Sequence, residues 1–277
     1  MKLPEGRTDH LPRRTMLAGL ASAALCGRAM AQAPAAEDPW PSLAAQIFDD
    51  RPLRDGSAVV AIDAPYRAED AALVPVSFRL TLGANDKRQV RRITCVIDQN
   101  PSPLAAAWSP GAGSGIRTIS TRVRIDSYTN VHAVAELSDG QLYVAQRFVK
   151  AAGGCSAPAA KQSAGAIPPG TMRFRRFPPA PDAASGLREA QIMIRHPNYS
   201  GMQMDQLTRL YVPAHFIKSV RLWQGDDPLL AIESGISIAE NPEFRFDYQP
   251  NGATLFRAEA EDNEGNVFKD QWPATPA

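Results

Sequence analysis

In the stretch FVKAAGGCSAPAAKQSAGAIPPG (residues 148–170), Cys155 follows the glycine pair Gly153 and Gly154 and precedes a run of Ala, Ser, Pro and Gly. A thiol can bond covalently to another molecule, and two neighbours without side chains let a second protein's active site come close to it. From Ala151 to Gly170 there is almost no large apolar side chain to offset the entropy of ordering. The composition therefore predicts a mobile arm, spanning roughly 25 Å root-mean-square for twenty residues. An exposed cysteine on such an arm suits covalent attachment. It suits catalysis less, because at an unperturbed pKa of about 8.5 only a few per cent is thiolate at neutral pH. Two blander readings stay open: a linker cysteine with no role, and a disulfide to Cys95.

The whole chain has 277 residues and three cysteines. Cys26 falls within residues 1–31, which read as an export signal: Arg13 and Arg14 precede the apolar run MLAGLASAAL (16–25), and AMA (29–31) offers small residues for a cut. The paired arginines resemble a twin-arginine signal, although Pro12 and Met16 stand where Ser or Thr and Phe are usual, and the ordinary secretory route stays open. The run is far shorter than the about 20 apolar residues a membrane span needs. Leu25, where a lipoprotein signal wants a small residue before its cysteine, argues against that class. No later stretch reads as a span, so a periplasmic protein is expected, in a compartment that permits disulfides.

Other residues with chemical potential are weaker. His196 and His215 have no further ligand at recognisable spacing and read as packed or surface histidines, so neither a metal nor a cofactor is expected. The acidic turns DDP (226–228) and EDNEG (261–265) lack the spacing of a calcium loop. Ser114 in GAGSGIR lacks a phosphate-loop lysine, and residues 108–115 read as a mobile loop. No nucleophile sits beside a base and its orienting partner, so the chain reads as a non-enzyme. Residues 1–31 hold five basic and two acidic residues of the chain's 30 and 29, so the remainder carries a net charge of −2. That balance excludes an electrostatic footprint for nucleic acid, and the one basic cluster, RFRR (173–176), reads as a solvated strand edge.

The elements that must position Cys155 are strands. Residues 37–50 read as a short helix, with Asp38 as cap and Trp40, Leu43, Ala44 and Ile47 on one face. Beyond it, residues 74–82, 91–98, 117–126, 131–137 and 141–149 read as strands, the last two joined by a hairpin at Asp139 and Gly140. Within 91–98, Ile93, Cys95 and Ile97 share a face, which places Cys95 in a core. After the Gly/Pro joint, residues 188–196, 217–223, 243–249 and 253–260 repeat the pattern. The fold class that follows is all-β: two immunoglobulin-like β-sandwiches joined by a flexible Gly/Ala/Pro linker. The boundaries are 1–31 for the signal, 38–150 for the first sandwich, 151–170 for the arm and linker, and 171–277 for the second sandwich.

These residues carry a resemblance. DQNPSP (98–103), ISTRVRID (119–126), VHAVAELSDG (131–140) and above all GGCS (153–156) resemble SoxY, whose strands end in a glycine-cysteine swinging arm. IRHPNYSG (194–201), VPAHFIKSV (212–220) and ENPEFRFDY (240–248) resemble SoxZ, and the order of motifs resembles fused SoxYZ-like carriers associated with quinoprotein dehydrogenases. The resemblance implies that Cys155 covalently holds a sulfur intermediate of the thiosulfate-oxidation type, that Gly153 and Gly154 give the arm its reach, and that the second half is a docking domain. In separate SoxY chains the cysteine lies at a free end, whereas here it is tethered on both sides.

The expected partners are periplasmic sulfur-oxidising enzymes, with a quinoprotein dehydrogenase or a cytochrome as a further one, and a disulfide-linked dimer through Cys155 is expected as a by-product of exposure. The alternative is an accessory interaction or redox protein for a PQQ-dependent quinoprotein dehydrogenase, without sulfur cargo.

Overall fold

Alternation of apolar and polar residues makes strands the main element of the described residues, since side chains on a strand point to opposite faces in turn. The computed structural model describes residues 38–83, 85–158, 167–178 and 186–274. Residues 1–31, expected to be an export signal, and positions 159–166 of the expected linker lie outside these residues. In the first half a helix, α1 (Trp40–Phe48), precedes β1 (Leu53–Asp55), β2 (Val60–Asp63), β3 (Val74–Leu80), β4 (Val90–Ile97), β5 (Leu104–Pro110), β6 (Thr118–Val123), β7 (Thr129–Leu137) and β8 (Leu142–Val149). The second half adds β9 (Met172–Phe177), β10 (Arg188–Ile194), β11 (Ile217–Gln224), β12 (Asp227–Ser234), β13 (Glu243–Tyr248), β14 (Leu255–Asp262) and β15 (Val267–Pro273).

The all-β expectation holds, and so does the sandwich. Its two layers are a nine-stranded sheet, in the order β1-β8-β7-β4-β5-β12-β11-β14-β15, and a six-stranded sheet, β2-β3-β6-β13-β10-β9. Each sheet runs through both halves. In one layer β5 pairs antiparallel with β12, Trp108 opposite Ile232. In the other β6 pairs with β13, Ile119 opposite Phe246. The two sandwiches therefore meet edge to edge in both layers and share one hydrophobic core, which includes Phe78, Trp108 and Ile119 from the first half and Ile192, Phe244 and Phe246 from the second. Pairing hides the edges that two separate sandwiches would leave open at this seam.

β5 corrects the expectation of a mobile loop starting at Trp108, which is fully buried and tilts against Phe78 at 5.1 Å between ring centres. Its sequence, LAAAWSP, has no alternation because Ala105, Ala106 and Ala107 are covered on both faces. The basic cluster 173–176 lies in β9, an edge strand, as expected.

Helix α1 starts one residue later than its sequence predicts: Pro39, without a side-chain bond, is the N-cap, and Asp38 Oδ1 accepts the backbone N–H of Trp40 from just before it. It packs Trp40, Ala44, Ile47 and Phe48 on the outer face of the nine-stranded sheet, against Val96, Val134 and Leu142. There Trp40 stacks on His132, 3.6 Å between ring centres. Both ring nitrogens of His132 lie within hydrogen-bond distance of an oxygen, Nδ1 of Asp98 Oδ1 at 2.9 Å and Nε2 of Gln146 Oε1 at 3.0 Å.

Candidate functional site

Cys155 follows β8 at the point where the first half meets the second. It is completely buried, which corrects the expectation of an exposed thiol on an undocked arm. Side-chain composition misleads here because residues 153–155 are held through their backbone groups. Gly153 N–H donates to Asp126 O at 2.8 Å, Gly154 N–H to Ile125 O at 2.9 Å, and the Arg124 guanidinium to Gly154 O at 3.2 Å. From the second half, the Ser200 hydroxyl donates to Cys155 O. Four such bonds hold a turn in which Gly154 and Cys155 are buried and Ala152, Gly153 and Ser156 are exposed, without a large apolar side chain.

The two glycines are needed for this docking. Gly153 adopts φ +77°, in the left-handed region that L side chains rarely occupy. At Gly154 a Cβ would lie 2.0 Å from Ala71 O and 2.7 Å from Ile125 O. The residues after β6 that carry the Ile125 and Asp126 carbonyls are themselves fixed: Asn100 Oδ1 accepts Asp126 N–H, and Asn100 Nδ2 donates to Arg124 O and to Ser237 Oγ of the second half.

Electrostatically the docked thiol is quiet. Burial, with a smaller push from Asp126 and a partial offset by Arg124, raises the Cys155 pKa from 9.0 to about 11. The nucleophilic thiolate is therefore suppressed at neutral pH. Burial also lowers the pKa of Arg124, which is 1% exposed. Two donors on residues of this cradle, Arg124 Nε and Gln203 Nε2, are buried without a partner among the described residues. Gln203 orients Ser200, its Oε1 accepting the Ser200 N–H at 2.9 Å. Cys95 sits mid-sheet in β4 as predicted, its pKa pushed up to about 12 by burial, and both cysteines are free, which rules out the disulfide between them here.

A second cluster lies behind the cradle. His196 Nε2 and His215 Nε2 face each other at 3.3 Å, and Asp262 Oδ2 lies 2.9 Å from the latter and 3.7 Å from the former. The sequence reading left these histidines without a ligand partner, because Asp262 lies 47 residues beyond His215 and reaches it only at the end of β14. Burial alone would raise the Asp262 pKa. Bonds from the Asn266 side chain, His215, and the backbone N–H groups of Asn266 and Glu264 outweigh it and hold the carboxyl down to about 2. Burial, reinforced by His215, pushes His196 down to about 4. Asn198 joins the cluster to the cradle: its Oδ1 and backbone N–H lie 3.0 and 3.1 Å from His196 Nδ1, and its carbonyl lies 3.5 Å from Arg124 Nη2.

Among the described residues, no helix is long and apolar enough to cross a membrane. In comparisons with known proteins, sulfur oxidation protein SoxY matches residues 44–155, a span that ends on Cys155, and sulphur oxidation protein SoxZ matches residues 175–273. The solved structure of the sulfur carrier protein SoxY from Chlorobium limicola f thiosulfatophilum is 25% identical, over 41% of this chain and 91% of that one, with a TM-score of 0.33. A superoxide reductase (neelaredoxin) from Ignicoccus hospitalis is 13% identical over 33% of this chain and 79% of its own, with a TM-score of 0.30. No curated protein matches.

Proposed function

We propose that this chain, a SoxY domain fused to a SoxZ domain, is a periplasmic carrier that holds a sulfur intermediate on Cys155 and presents it to the enzymes that load and oxidise it. The observation that carries the reading is the position of Cys155: the last residue of the SoxY match, seated on a short latch of hydrogen bonds, three made within the first domain and one from Ser200 of the second. A carrier must protect its adduct between partners and release it to them, and a latch of a few bonds does both. The docked thiol is the resting state; release turns Cys155 outward and returns its pKa toward 9.0.

Joining the Cys155 thiol to thiosulfate through a new S–S bond releases one proton and two electrons, which a partner oxidoreductase must accept. Any such adduct ends in anionic oxygens. Arg124 and Gln203, whose unpartnered donors belong to the cradle, are suited to receive it when the arm docks again. Leu207, Leu210 and Tyr211, all exposed on the loop that follows Ser200, supply apolar surface for the partner enzyme beside the arm.

The test is the intact mass of protein purified from its native periplasm while the pathway runs, before and after a reducing agent. A reducible added mass on Cys155, absent from Cys155→Ser, is expected, and its size gives the cargo. A permanently unmodified thiol, with Cys155→Ser functional in cells, would instead favour an accessory protein for a quinoprotein dehydrogenase. The burial of Cys155 removes the basis for expecting a disulfide-linked dimer from the docked state.

A further inference from the structure

We propose that His196 Nε2, His215 Nε2 and Asp262 Oδ2 bind one divalent transition-metal ion of the zinc class, with Glu264 or a water as the fourth ligand. Zinc bonded to nitrogen and carboxylate oxygen at about 2.0–2.1 Å in tetrahedral geometry sets its ligand atoms about 3.3 Å apart. The three facing atoms here are separated by 2.9, 3.3 and 3.7 Å, which brackets that edge. His196 and Asp262 are buried, and His215 is the side open to solvent. On that open side Glu264 Oε2 lies 3.6 Å from His215 Nε2, and Glu264 is exposed enough to swing in.

The surroundings suit ligands held for an ion. Asp262 Oδ1 accepts the backbone N–H groups of Glu264 and Asn266, both at 2.9 Å, and Oδ2 accepts Asn266 Nδ2 at 2.8 Å, so the carboxylate cannot turn away. The amide of Asn198 is oriented by Ile217 N–H, donating to its Oδ1, and by Ile238 O, accepting from its Nδ2. Its Oδ1 lies 3.0 Å from His196 Nδ1 and its backbone N–H donates to the same nitrogen at 3.1 Å, so Asn198 holds the ring with Nε2 turned toward the other two groups. His215 Nε2 faces both His196 Nε2 and Asp262 Oδ2, and a single proton on it can serve only one of them. An ion on Nε2 satisfies all three groups at once, the proton moving to His215 Nδ1.

Metal binding would also brace the stretch from His196 to Ser200, whose far end holds Cys155. The site itself does not depend on what Cys155 carries, and the test separates the two. Full-length Cys155→Ser protein, which has no arm thiol to bind metal, is stripped with a chelator and titrated with Co²⁺ as a visible probe, followed by Zn²⁺ in competition. One equivalent is expected, with the ligand-field absorption of a tetrahedral ion, lost when Zn²⁺ displaces it. His215→Ala and Asp262→Asn should each weaken binding at least 100-fold, while Glu264→Gln changes it less than 10-fold. Histidine nitrogen NMR on the unmutated cluster reads the same site without relying on a variant that folds: His196 and His215 should shift with metal and His132 should not. No stoichiometric uptake, affinity unchanged in both ligand variants, or shifts that spare His196 and His215 would overturn the proposal and leave a hydrogen-bonded His-His-Asp network only.

Discussion

Cys95 and Cys155 are both completely buried and both have raised pKa values, yet they are buried by different physics. Cys95 lies in the middle of β4, bonded on both sides to β5 and β7 and packed between Ile93 and Ile97 on the core face. Exposing it means breaking the nine-stranded sheet. Cys155 lies on a turn with few apolar neighbours in sequence, kept in place by bonds donated to the Asp126 and Ile125 carbonyls and received from Arg124 and Ser200. Exposing it means breaking a handful of bonds worth about 0.5–1.5 kcal/mol each. Burial alone does not distinguish an inert thiol from a working one; the cost of opening does.

Native-state alkylation with iodoacetamide at pH 7 measures that cost directly. Cys155 should react at least 100-fold faster than Cys95. Equal rates, both tracking global unfolding, would sink the latch and the carrier reading with it. Next in size is Gly154→Ala, whose new Cβ would collide with Ala71 O at 2.0 Å. It should raise the Cys155 rate at least 10-fold and leave Cys95 untouched, as peptide mass mapping would show. If both sites rise together, the variant has loosened the core instead of the latch.

The pH dependence sharpens the contrast. Docking raises the Cys155 pKa from 9.0 to about 11, so the docked arm binds its proton more tightly than the released one. Its stability is complete below pH 9 and falls as the pH rises toward 11. Cys155 labelling should therefore climb more steeply across that window than the thiolate fraction of a free cysteine, whereas a slope matching the free thiol would mean that docking does not control access. The smallest effect is expected of Ser200→Ala, which removes the hydroxyl bond to Cys155 O at about 1 kcal/mol and should speed labelling about fivefold.

The strands with clean alternation were legible in the sequence because their period is local, and β13, with Phe244, Phe246 and Tyr248 facing in, is the clearest case. β5 was not, because alanines covered on both faces leave no period to read. Nor could the sequence show that Asn100, Arg124, Gly154, Asn198, Ser200 and Ser237 converge, since their contacts cross 24 to 137 residues. The glycines beside the cysteine were visible. Their role in docking depends on the φ of Gly153 and on the carbonyl of Ala71, and neither is written near them.

The seam between the domains also sets a timetable for the chain's birth. Pro110 at the end of β5 pairs with Leu230, so 120 residues must be made before that edge finds its partner. At about 5–20 residues per second, the first half waits several seconds or more with two sheet edges open. Until β12 and β13 arrive, both edges of the first half are without their partners and open to pairing with another chain.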